Sequence, residues 1–126
     1  AIAYCDNHMQ AIAASHLHKG DVAIGVSHSG ASIDVVDALK TAREAGAKTI
    51  CITNFGESPI NEHSDIILNT RSDETKYSIL AMSSRIAQLA IFDAIYTYIV
   101  MHSNKAAVQA IKDAENALHS KKYIDN

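Results

Sequence analysis

Hydrophobic and polar positions along this chain alternate between two kinds of segment. Two of them share one grammar: a helical stretch closes on a basic residue and a glycine, and a short apolar run follows that finishes at a hydroxyl residue. The first is His18, Lys19 and Gly20, then Asp21 to Ser27; the second is Arg43 to Gly46, then Ala47 to Thr53. The runs DVAIGVS and AKTICIT are continuous rather than alternating, as expected of strands buried on both faces. Gly20 and Gly46 fit the left-handed position that closes a helix, with basic side chains complementing the negative end of its dipole. Asp65 to Asn69 and Ala1 to Tyr4 read as further strands.

Helices are expected at about Asn7 to Lys19, Ser32 to Ala45, Pro59 to His63 and Lys76 to His102. Strand and helix in alternation imply parallel pairing through right-handed crossovers, with helices on both sides of the sheet. The long helix is apolar on nearly every face, so more than one neighbour must cover it; a second subunit could supply one cover. Asn104 to Lys122 reads as a more polar amphipathic helix. The expected organisation is a domain over residues 1–103 and a C-terminal helix over 104–126 packing on it.

Composition narrows the function classes. With 126 residues and 48% hydrophobic content, the chain suits a globular domain with a real core. Eleven Lys and Arg stand against 14 Asp and Glu, with no basic cluster, so this chain alone should not grip a nucleic-acid backbone. Cys5 and Cys51 read as small buried hydrophobes in a reducing compartment more than as a disulfide. The apolar stretch from Ile79 to Met101 is broken by Arg85, Gln88 and Asp93, which makes it a poor membrane span. No signal peptide is visible, so the chain reads as cytoplasmic. Its start on a strand-like run suggests a piece of a longer protein.

The chemistry concentrates in Ser27-His28-Ser29-Gly30-Ala31-Ser32, between a buried strand and a helix. Such a turn exposes amide N–H groups at the positive end of the helix dipole, and a phosphate supplies the acceptors they lack. Gly30 lets backbone approach closely, while Ser27, Ser29 and Ser32 add donors. The competing reading is that Ser29 or Ser32 simply caps the helix. A cap explains one hydroxyl; three hydroxyls and a glycine at the carboxyl end of a parallel strand favour an anion site.

GDVAIGVSHSGAS followed by DALKTAREAGAKTICITN resembles the central phosphate-binding segment of SIS (sugar isomerase) domains, whose pattern is Ser-x-Ser-Gly-x-Ser/Thr. SSRIAQLAIFDAIYTYIV and YCDNHMQ are similar to the branch found in RpiR-type bacterial transcription regulators. The resemblance implies a flavodoxin-like three-layer α/β/α sandwich with a parallel sheet. It further implies that Ser27, Ser29, Gly30 and Ser32 hold the phosphate of a sugar-phosphate effector. Complete SIS domains begin with another strand and a glycine-rich turn bearing a further serine; nothing in this chain matches these, so the first strand and helix are expected to be lacking.

Further candidate contacts to sugar or phosphate are His8, His28, Asn54, Glu74 and Arg85. His8 follows a strand-like run, on a loop that faces the sugar in the family. Glu74 occupies the region where SIS isomerases carry a catalytic glutamate, and equally suits a helix N-terminus. Arg85 needs a partner in an apolar helix, and Asp93 lies about 12 Å along the axis, too far to pair. His16 and His18, two apart, make a poor metal pair. Neither a metal nor a cofactor is expected.

Three readings stand. The first is the sugar-phosphate sensor of a regulator, acting as a dimer or tetramer on DNA through a helix-turn-helix domain absent from this chain. The second is an aldose-ketose isomerase, and the third is a degenerate dimerisation module. The sensor reading, a non-enzyme, accounts for all three serines.

Overall fold

The computed structural model describes residues 1–72, 82–102 and 105–119. Ala1–Gln88 and Leu89–Asn126 form two compact units. In the first, α1 (Asn7–Ser15), β1 (Val22–Val26), α2 (Ile33–Glu44), β2 (Lys48–Asn54), α3 (Pro59–Glu62) and β3 (Ile66–Thr70) follow in order. The strands form one parallel sheet in the order β1-β2-β3, with Gly25 opposite Cys51 and Cys51 opposite Ile67. The chain is thus an α/β protein with a parallel sheet. Two helices, α4 (Met82–His102) and α5 (Lys105–His119), complete the described residues.

The central strand explains why AKTICIT is continuous. In β2, Thr49, Cys51, Ile52 and Thr53 are all fully buried. Leu39 of α2 and Ile60 of α3 pack with Cys51, and Ala14, Ala42 and Ala47 form a second buried cluster where α1 meets α2. Burying Ile52 and Ile60 contributes about 1.5–3 kcal/mol each. Gly25 is required by packing, since a Cβ there would lie 2.6 Å from Leu39 Cδ1. The residues that share a face with Ile52 in the edge strands are less protected: Val22 is 54% exposed and Ile24 41%. The expectation of strands buried on both faces therefore holds for β2 and not for β1.

Two boundaries differ from the sequence reading. Ala1 to Tyr4 forms no strand and is exposed, which leaves Cys5 exposed as well, against expectation, while Cys51 is buried. An extended run becomes a strand only beside a partner, and no described strand lies beside Ala1 to Tyr4. Helix α1 ends at Ser15 instead of Lys19, because His16 caps it and Asp21 draws the chain into a turn, its carboxylate accepting from His18 N at 2.8 Å. Gly20 (φ 104°) serves that turn, whereas Gly46 (φ 94°) does close α2. The expected long helix is described from Met82 onward, its first turns lying outside the described residues. Apolar side chains stay open along α4, with Ile86 69% and Leu89 66% exposed.

Candidate functional site

Strand β1 delivers the chain into Ser27–Ser32, and α2 carries it away. Ser27 N extends the ladder by donating to Ile52 O at 3.1 Å, which seats Ser27 in the sheet with 5% exposure. A tight turn follows, with Gly30 N donating to Ser27 O at 3.1 Å and Gly30 at φ 64°. Ser27 Oγ and Ser32 Oγ are 3.0 Å apart and share a hydrogen bond, and Ser29 Oγ accepts from Ala31 N at 3.3 Å.

Ser32 stands at the N-cap position of α2, yet its side chain makes no capping hydrogen bond. The first-turn N–H groups of a helix have no intrahelical acceptor, and here the hydroxyl that could serve them is turned toward Ser27. The capping alternative for Ser32 is not what the chain adopts. What results is a pair of hydroxyls and a set of amide donors at the positive end of a 12-residue helix, an arrangement suited to an anion.

Of the other candidates, His28 belongs to the loop, its carbonyl accepting from Asn54 N at 3.0 Å. Asn54 ends β2, where its amide meets the peptide of Ser72: Oδ1 accepts from Ser72 N at 3.3 Å, and Nδ2 lies 3.5 Å from Ser72 O. That side chain ties the ends of β2 and β3 together. His8 is exposed in the first turn of α1. Its neighbour Asn7 donates to Asp34 Oδ2 at 2.7 Å and so joins the N-terminal turns of α1 and α2 beside the loop. Arg85 is exposed on α4, and no hydrogen bond or ion pair among the described residues joins it to the loop. Glu74 lies outside the described residues.

Sequence reasoning missed Asn7, Asp34, Thr53 and Ser58. A Cβ on Gly30 would lie 2.5 Å from Ser58 Cβ and 2.9 Å from Thr53 Oγ1. Gly30 is therefore demanded by the β2–α3 segment beside it, a pairing across 28 positions that no local pattern announces.

At the opposite, amino end of the sheet a cavity of about 430 Å³ is lined by Lys19, Asp21, Arg43, Lys48 and Asp65 among others. Three of its charges, Arg43, Lys48 and Asp65, are engaged with one another. Asp65 Oδ2 accepts from Thr49 N at 2.9 Å and lies 3.6 Å from Lys48 Nζ; Asp65 Oδ1 lies 3.7 Å from Arg43 Nη2. The Thr49 backbone donor, supported by Lys48, the Thr49 hydroxyl and Arg43, outweighs desolvation and holds the Asp65 carboxyl below its ordinary range. Among the described residues, no group of three or more His, Cys, Asp or Glu is placed to hold a metal ion, and no helix is long and apolar enough to cross a membrane.

A parallel sheet with a hydroxyl-rich glycine turn at its carboxyl edge is an α/β architecture, and open α/β sheets place ligands at that edge when they bind them. The SIS domain family matches residues 4–98, and the chain belongs to it. It is 40% identical over 120 residues to an uncharacterized HTH-type transcriptional regulator of Caldanaerobacter subterraneus subsp. tengcongensis, a match spanning 95% of this chain and 43% of the relative. The chain thus spans less than half the length of that relative. Its fold is similar to Vibrio vulnificus NanR complexed with ManNAc-6P, with a TM-score of 0.87 and 22% identity, over 98% of this chain and 47% of that one. The sugar isomerase domain of the RpiR transcription factor from Sphaerobacter thermophilus is also similar (TM-score 0.68, 22% identity, 86% of this chain and 58% of that one).

Proposed function

We propose that this chain is the sugar-phosphate-sensing domain of a bacterial transcription regulator, and that the Ser27–Ser32 loop receives the phosphate. The observation that carries the reading is the Ser27–Ser32 hydroxyl pair at a helix start whose N-cap side chain does no capping. A phosphate there would accept from hydroxyls and first-turn amides without needing a lysine or arginine in the loop.

Similarity to an HTH-type transcriptional regulator supports a regulator over an enzyme. DNA contact then belongs to a helix-turn-helix domain outside this chain. The NanR complex supports an N-acylated amino-sugar 6-phosphate as the first ligand class to test. In this proposal Ser27, Ser29, Gly30 and Ser32 hold the phosphate, while His8, His28, Asn54, Glu74 and Arg85 are the candidates facing the sugar. Self-association accounts for Ile86 and Leu89 standing exposed on α4, and a dimer is the smallest assembly that covers them.

The test is thermal shift and calorimetry of the full-length protein with a panel of hexose and hexosamine 6-phosphates and their unphosphorylated sugars. Binding confined to phosphorylated sugars is expected. A protein stabilised by none of them would be a dimerisation module, and one that interconverts aldose and ketose phosphates would be an isomerase.

A further inference from the structure

We infer that the β2–α3 segment, through Thr53, Asn54, Ser58 and Ile60, is the positioning element of the phosphate loop: it aims the amide donors of Ser29 and Ala31 by holding the carbonyls of His28 and Gly30. The inference rests on the proposed phosphate site.

Two of the loop's carbonyls are engaged from the same side. His28 O accepts from Asn54 N at 3.0 Å and from Thr53 Oγ1 at 3.3 Å; Gly30 O accepts from Ile60 N at 3.0 Å. No peptide bond in the described chain is cis. In a planar trans peptide the C=O of one residue and the N–H of the next point in opposite directions. Fixing the carbonyl of His28 toward β2 therefore turns Ser29 N–H away from it, and fixing that of Gly30 toward α3 turns Ala31 N–H away likewise, to the side where Ser29 Oγ accepts from it at 3.3 Å. The segment makes no contact with an anion in this scheme. It sets where the donors point.

Ser58 is the spacer that fixes how near the two segments come. Its Oγ donates to Asn61 Oδ1 at 3.2 Å, and Asn61 Nδ2 donates to Gly56 O at 3.0 Å, so the side chain is held from its own loop. Gly30 is buried against it, and a Cβ at Gly30 would meet both Ser58 Cβ and, closer still, Ser58 Oγ. The size at position 30 and the size at position 58 are thus coupled.

The experiment is a size swap read by calorimetry with N-acetylmannosamine 6-phosphate or glucosamine 6-phosphate and by the amide resonances of Ser29 and Ala31 without ligand. Gly30→Ala should weaken binding by at least about tenfold and displace both resonances. Adding Ser58→Gly should recover part of the loss and return the resonances toward their places. Ser58→Ala, which keeps the Cβ, should recover less. With Gly30 intact, Ser58→Gly, which removes the spacer, should weaken binding by less than Gly30→Ala does. No rescue, or rescue equal for Ala and Gly at 58, overturns the inference, because general loosening of the fold would not rank variants by size.

Should Gly30→Ala fail to fold, Thr53→Val, which removes the bond to His28 O at nearly constant volume, must displace the Ser29 resonance; an unmoved resonance overturns the inference. If the unmutated protein binds no sugar phosphate, the proposed function fails, while the ligand-free resonances still decide whether the segment aims the loop.

Discussion

At the amino end of the sheet, Lys48, Arg43 and Thr49 gather around the single carboxylate of Asp65. At the carboxyl end, Ser27 and Ser32 share one hydrogen bond beside a helix start that their side chains leave uncapped. Formal charge would point an anion to the first place, with its three cationic side chains and its cavity of about 430 Å³. Hydrogen-bond accounting points to the second. Arg43 and Lys48, already facing a carboxylate, offer an incoming anion little, because it must displace or repel Asp65. Backbone donors fixed at a helix start, with neutral hydroxyls able to reorient, lack only an acceptor. In the proposed assignment, donors at a helix start locate the anion site and a count of charges does not.

The comparison is open to attack by substitution at either end. The largest effect is expected from Ser29→Ala, which should weaken sugar-phosphate binding by about 1–3 kcal/mol, the cost of leaving a charged acceptor short of a donor, while the melting temperature stays near that of the parent. Calorimetry beside differential scanning measures both. Asp65→Asn should do the reverse, lowering the melting temperature at pH 7 and leaving affinity alone.

That effect carries a pH signature. A carboxyl whose folded pKa is depressed adds stability above its ordinary value of 3.8, and the contribution is lost as pH falls through that value and on to the lowered one. Parent and Asp65→Asn melting curves should therefore converge as pH drops below about 4.

Smaller again is Arg85→Ala. An exposed cation reaching toward a bound phosphate is worth about 0.2–1 kcal/mol, so affinity should fall by less than Ser29→Ala causes, and the loss should shrink with added salt. Normal affinity with reduced stability would assign Arg85 a structural role. Smallest is Lys19→Gln, expected to shift stability by less than about 0.5 kcal/mol and affinity not at all.

How much of this was legible beforehand differs between elements for physical reasons. DVAIGVS and AKTICIT announced β1 and β2 because parallel strands in an α/β sheet need apolar side chains in succession, and Gly46 marked the end of α2 by its left-handed backbone. The Ser27–Ser32 loop was readable because its residue types and spacing are local. Ala1 to Tyr4 was misread because four apolar residues say nothing about whether a partner strand lies alongside. Lys19 was placed inside α1 because the His18–Asp21 turn depends on a side-chain acceptor three residues ahead. Gly30 was assigned correctly to the loop but with half its reason: a sequence shows that the position wants glycine, and only the fold shows that Ser58 and Thr53 occupy the space a side chain would need.

The most direct test pits the two ends of the sheet against each other in one titration series. The full-length protein, its Ser27→Ala/Ser29→Ala variant and its Lys19→Gln/Lys48→Gln variant are titrated with the same hexosamine 6-phosphate by calorimetry. Loss of the binding heat with the serine variant and its retention with the lysine variant is the predicted result. Retention with the serine variant and loss with the lysine variant would contradict the assignment of the phosphate to the neutral loop.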